Sequence, residues 1–233
     1  MSSSDRAGSP GWSFRMLRSL LLSLVAFLAA CSPGGSGTTV TIGQGAPDPV
    51  TAVEELRSLL AAGDFSGAGS LAVPGQAVLA SLAEGAAPST VAAALAGGDG
   101  EVAANFWSGF AQGVGGALSQ EATLEDLGTT TADGIEFFVV GITPEGGGRR
   151  MMVTRDVDGQ RIDLFASFGA GLAEGMIPSV DLLLTSPNED SGQVLAALQE
   201  VVPSLMVAAR DETLSSDASQ RILQLVEMIT RAG

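Results

Sequence analysis

The chain has 233 residues, 26 of them acidic and 11 basic, and every basic residue is arginine, because lysine and histidine are absent. Without histidine or lysine there is no Ser-His-Asp triad, Ser-Lys dyad, Schiff-base lysine, Walker A phosphate loop or His-ligated zinc site. A net charge of −15 argues against nucleic-acid partners, and a single cysteine leaves no intramolecular disulfide.

The chain opens with Arg15 and Arg18 ahead of an uncharged run of twelve residues, Ser19 to Ala30. A basic start, a short apolar core and small residues before a cut site read as a secretory signal peptide over residues 1–30. The run is too short for the roughly 20 residues that span a hydrocarbon core, so it does not read as a transmembrane anchor. Its ending, Leu28-Ala29-Ala30-Cys31, resembles the lipobox of bacterial lipoproteins, and Cys31 is the one cysteine of the chain. The resemblance implies cleavage between Ala30 and Cys31 and acylation of the Cys31 thiol with a diacylglyceryl group. Two acyl chains are enough for stable anchoring. The expected location is the extracytoplasmic face of the cell membrane, or the outer membrane where the cell has one; Ser32 supplies no acidic retention signal. The processed chain then carries eight arginines against twenty-five carboxylates, a charge of −17.

Residues 31–48 are rich in Gly, Ser, Thr and Pro and read as a flexible tether. The rest, residues 49–233, reads as one domain. Thr51-Ala52-Val53-Glu54 fits a capping box, followed by Val53, Leu56 and Leu60 on one helical face and Gly63 as the stop. Short Ala-rich helical pieces follow at 65–72, 76–84 and 88–96. A longer helix over 101–118 carries Phe106, Phe110, Val114 and Leu118 at spacings of four. With Trp107 it reads as a core helix under the sheet, not a lipid contact.

Four strands are predicted next, over 123–131, 135–143, 149–156 and 160–165. Asp133-Gly134 and Asp158-Gly159 are the turn signals. A two-residue turn at Asp158-Gly159 pairs Val157 with Gln160, Asp156 with Arg161 and Val153 with Leu164. That register puts Met151, Val153, Ile162 and Leu164 on one face. Residues 135–142 are apolar on both faces, as a central strand requires. Glycines and Pro178 break the period over 166–184. Two helices close the chain: 191–210, broken at Pro203, and 218–231, capped by Asp217. The order of elements predicts an α+β fold: N-terminal helices, a four-stranded antiparallel meander and two C-terminal helices.

Ala62-Gly63-Asp64-Phe65 and the later Val157-Asp158-Gly159-Gln160-Arg161-Ile162-Asp163 together resemble small NTF2-like domains of exported lipoproteins. The resemblance implies a cone-shaped sheet closed by helices, with a pocket that is empty or takes a small apolar ligand. The chain departs from that pattern in having Gln160 and Arg161 where an aromatic often follows the hairpin glycine.

The candidate sites are few. Asp156-Val157-Asp158-Gly159 lacks the remaining ligands of a calcium loop and reads as a turn. Gly169-Ala170-Gly171 lacks the strand and helix context of a dinucleotide loop. Arg149, Arg150, Arg155 and Arg161 form either an anion-binding strip or a solvated face paired with local acids. No metal or cofactor is expected. The functional reading is a non-enzymatic binding or structural domain, monomeric, held to the membrane through Cys31. One alternative is a carrier of a hydrophobic or lipid ligand in a pocket lined by Phe137, Val139, Met152 and Leu164. Another is an extracytoplasmic hydrolase using Asp or Glu chemistry.

Overall fold

A computed structural model describes residues 45–97, 100–114, 118 and 121–232. The residues read as a signal peptide, Cys31 and most of those read as a tether lie outside the described residues. The α+β architecture is the one the sequence predicts: helices, a four-stranded antiparallel meander, then helices. None of the described helices is long and apolar enough to cross a membrane.

Residues before position 49 take part in the described fold. Ala46 is 2% exposed and exchanges two backbone hydrogen bonds with Gln160, while the Gly45 N–H donates to the Asp158 carbonyl. Gly45 and Gly159 stack backbone on backbone, so closely that a Cβ on either would overlap the other. Helix α1, Pro49–Ala62, is capped by Asp48, whose carboxylate accepts the Thr51 N–H at 2.9 Å and its hydroxyl at 2.6 Å. The cap therefore lies three residues before the Thr51–Glu54 box. Pro49 suits the first helical position, where its missing N–H costs nothing.

Helices α2 (Phe65–Leu71), α3 (Gln76–Ala80), a 3-10 turn (Ser81–Glu84), α4 (Pro88–Gly97) and α5 (Gly100–Val114) form a helical layer. Trp107 is fully buried, as expected of a core helix. Helix α5 nevertheless packs on α2, α3 and α4 instead of beneath the sheet. Gly69 of α2 leaves room for the indole, which has Phe106 and Phe110 as edge-on neighbours.

Strands β1 (Thr123–Ala132), β2 (Ile135–Thr143), β3 (Arg150–Asp156) and β4 (Gln160–Ile162) pair in sequence order. Asp133 and Gly134, at φ 50° and 76°, make the tight first turn. The last hairpin differs from the predicted register by one residue. Its pairs are Asp156 with Gln160, Arg155 with Arg161 and Thr154 with Ile162. The loop is therefore three residues long, with Val157 49% exposed and Gly159 at φ 106°. Ile162 consequently shares a face with Met152 and Thr154, not with Val153. One face of the sheet, with Val140, Ile142, Met152 and Ile162, joins Val53 and Leu56 of α1 in the main core. The other, with Phe137 and Val153, packs on Ala166 and Val207.

Residues Leu164–Thr185 form helix α6 despite their glycines and Pro178, with a non-helical kink at Phe168. The chain ends with α7 (Ser191–Gln199), α8 (Val202–Ala208) and α9 (Ser216–Arg231). Pro203 sits in the first turn of α8, so the predicted break is two helices. The cap of α9 is Ser215, whose hydroxyl accepts the Ala218 N–H, and not Asp217.

A soluble domain begun at Pro49 lacks both the Asp48 cap and the Ala46 bridge, whereas one begun at Gly45 keeps them. Loss of an N-cap alone costs about 1 kcal/mol. The shorter domain should melt several degrees below the longer one by circular dichroism; equal melting would show that the 45–48 segment adds nothing.

Candidate functional site

The polar cluster buried most deeply lies where β4 passes into α6. Asp163 is fully buried at the cap of α6. One carboxylate oxygen accepts the Ala166 N–H at 3.0 Å and the other the Ser204 hydroxyl of α8 at 2.8 Å. The Arg155 Nε of β3 stands 3.9 Å from that second oxygen. Beside it the Leu164 N–H donates to the Gln76 side-chain oxygen at 2.7 Å. The Gln76 amide nitrogen, Arg155 Nε, Arg57 Nε and Trp107 Nε1 are buried without a hydrogen-bond partner.

A carboxylate accepting a serine hydroxyl has the composition of a base beside a nucleophile. Here Asp163 and Ser204 are both 0% exposed, which removes the pair from any substrate. The cluster's chemistry is structural: a carboxylate taken out of water is compensated by one helix N–H, a hydroxyl and a nearby guanidinium. Sequence reasoning missed it by placing Asp163 in a strand. The only signal was an acid directly before a run of potential helix, the same one that marks Asp48 and Asp64.

The four candidate arginines do not form a strip. Arg155 and Arg161 face each other across β3 and β4, on the face of Val153. Arg150 pairs with Ile142 and so lies on the opposite face. Three have local acids: Arg149 lies 3.9 Å from Glu125, Arg155 reaches Asp163, and Arg161 binds Asp158 and the Ser70 carbonyl. The four proposed lining residues divide as well. Phe137 belongs to the smaller cluster and Met152 and Leu164 to the main core, while Val139 is half-buried. Gly169 and Gly171 are inside α6.

Several other acids serve the backbone. Asp48 and Asp64 cap helices, and the hydrogen bonds from Thr51 hold the Asp48 carboxyl below its ordinary range. The Arg161 hydrogen bond lowers Asp158 likewise. Two carboxyls move the other way. Glu55 is raised by burial and then by Asp48. Glu84 is raised by burial. The Glu84 residue as a whole is exposed, but its carboxyl sits on the α5 backbone, 2.9 Å from where a Cβ on Gly109 would stand. No group of three or more acids or other ligands suited to a metal occurs among the described residues. Comparison with known proteins finds no matching family model, no similar curated protein and no similar solved structure.

Two outcomes follow from this geometry. Replacing Asp163 by alanine strands Arg155 and two donors and should cost about 3–5 kcal/mol in urea unfolding. Ser204→Ala, which removes one hydrogen bond, should cost about 1–2 kcal/mol. A loss below 1 kcal/mol for Asp163→Ala would deny the cluster its role. For Glu84, a folded-state value above the unfolded one favours folding at low pH, and that advantage disappears as pH rises through the folded value. Glu84→Gln should therefore melt slightly above the parent at pH 7, and the gap should close below the ordinary glutamate value of 4.5. A gap that widens on acidification would contradict the sign.

Proposed function

We propose that the chain is an exported lipoprotein, acylated at Cys31 after cleavage at Ala30, whose domain has a non-enzymatic binding or structural role at the extracytoplasmic face of the membrane. The observation that carries the reading is Leu28-Ala29-Ala30-Cys31 at the end of a short apolar run, in a chain with no other cysteine. Two features support the non-enzymatic part. The common catalytic sets are missing from the composition, and Asp48, Asp64 and Asp163 cap helices, Asp156 braces a turn and Glu84 lies against backbone. The separation of Phe137 from Met152 and Leu164 favours a role at the surface over carriage in one internal pocket.

Expression with a clickable fatty acid tests the anchor. The parent should be labelled and recovered with membranes, its first residue being Cys31 by mass spectrometry. Cys31→Ala should remain uncut and unlabelled. Normal processing of that variant would refute the reading.

A further inference from the structure

Strand β1 is the long edge of the sheet, and among the described residues it pairs only with β2. The other edge, β4, is covered by the bridges from Ala46 and Ala72. An edge of ten residues with no second partner strand among the described residues invites strand addition. The tight turn at Asp133-Gly134 makes Ala132 and Ile135 the first hydrogen-bonded pair. Alternation then directs the N–H and C=O groups of Thr131 and Thr129 away from β2. The outward Thr131 carbonyl is occupied: Arg210, in the loop after α8, donates to it at 2.9 Å. At the opposite end Arg57 of α1 donates to the Ala122 carbonyl at 3.1 Å. Between them the register shifts at Asp126–Thr129. There Gly128 adopts φ 88° and gives its N–H to the Asp126 carboxylate at 2.8 Å.

We propose that Arg210 is a guard that closes the outer edge of β1 against a second copy of this chain. The bulge ends any added strand near residue 128, and Arg57 closes the far end. Of the two regular stretches, Thr123–Asp126 carries two carboxylates and Thr129–Ala132 none, and at the second Arg210 holds one of two outward acceptors, the Thr131 carbonyl. An antiparallel second copy centred on Thr130 sets Thr129 opposite Thr131, within a stretch that carries no carboxylate. Three consecutive β-branched threonines favour the extended backbone. Removing the guanidinium frees the acceptor without disturbing the core, because Arg210 is exposed.

The test compares Arg210→Ala with Arg221→Ala in the purified full-length protein in mild detergent. Arg221 is also exposed and pairs with Glu174, so both variants lose one surface positive charge. Detergent-corrected light scattering should give Arg210→Ala twice the parent's mass at high concentration. The parent and Arg221→Ala should stay at the mass of one chain. Amide hydrogen exchange should slow at Thr129 and Thr131 in the associated form alone. An Arg210→Ala mass equal to the parent's overturns the proposal. So does equal association of Arg221→Ala, or association without protection of those two amides.

Discussion

The fold turns on one buried carboxylate. With no disulfide available to the domain, the sheet and the C-terminal helices are joined through side chains, and Asp163 stands at their meeting point. It ends β4, caps α6, accepts from Ser204 of α8 and faces Arg155 of β3. Each contact alone is modest. Together they satisfy a charge whose burial is otherwise costly, and they do so only when four elements are in place. The carboxylate is therefore better at excluding wrong arrangements than at adding stability. Gln76 extends the same logic to α3 by accepting the next free N–H of α6.

Close backbone approach is the second constraint, and it explains a glycine- and alanine-rich composition. The 3-10 turn packs its Ala83 carbonyl onto α6 where Gly175 has no side chain, and any Cβ there would collide with it. The Ser179 hydroxyl, one turn on, donates to the Leu82 carbonyl at 2.9 Å and fixes the same contact. Gly159 combines a left-handed backbone with direct contact to Gly45. Close contacts at small residues act there together with large buried side chains such as Trp107, Phe165 and Leu82.

These two constraints also decide what the sequence discloses. The meander was legible because its signals are local: alternating apolar residues, an Asp-Gly turn and an apolar stretch for the central β2. The register of the last hairpin was not. Asp158-Gly159 looks like a two-residue turn, but Gly159 answers to Gly45, more than a hundred positions away, and Asp163 answers to Ser204 and Arg155. Tertiary partners moved the turn by one residue and ended β4 early. Helix α6 was hidden for the related reason that Gly169 and Gly175 serve neighbours, Ala208 and Ala83, at the expense of helix propensity. The caps at Asp48 and Ser215 were within reach of local reasoning, and the neighbouring Thr51 and Asp217 drew attention from them. Among the candidate site residues, Arg150 parts from Arg155 and Arg161, and Phe137 from Met152, because neighbours along a strand alternate faces.

The distribution of charge bears on the proposed role. Most arginines of the domain answer a nearby carboxylate or carbonyl: Arg57 at Ala122, Arg155 at Asp163, Arg161 at Asp158, Arg210 at Thr131 and Arg221 at Glu174. Cations engaged in this way are poorly available to anionic ligands, and the excess of carboxylates dominates the far field. Such a surface is repelled by acidic headgroups. Under the lipoprotein reading, attachment and folding are then separate problems. On that reading the acyl chains would hold the protein at the bilayer, and the domain's own charge would keep its surface off acidic lipid.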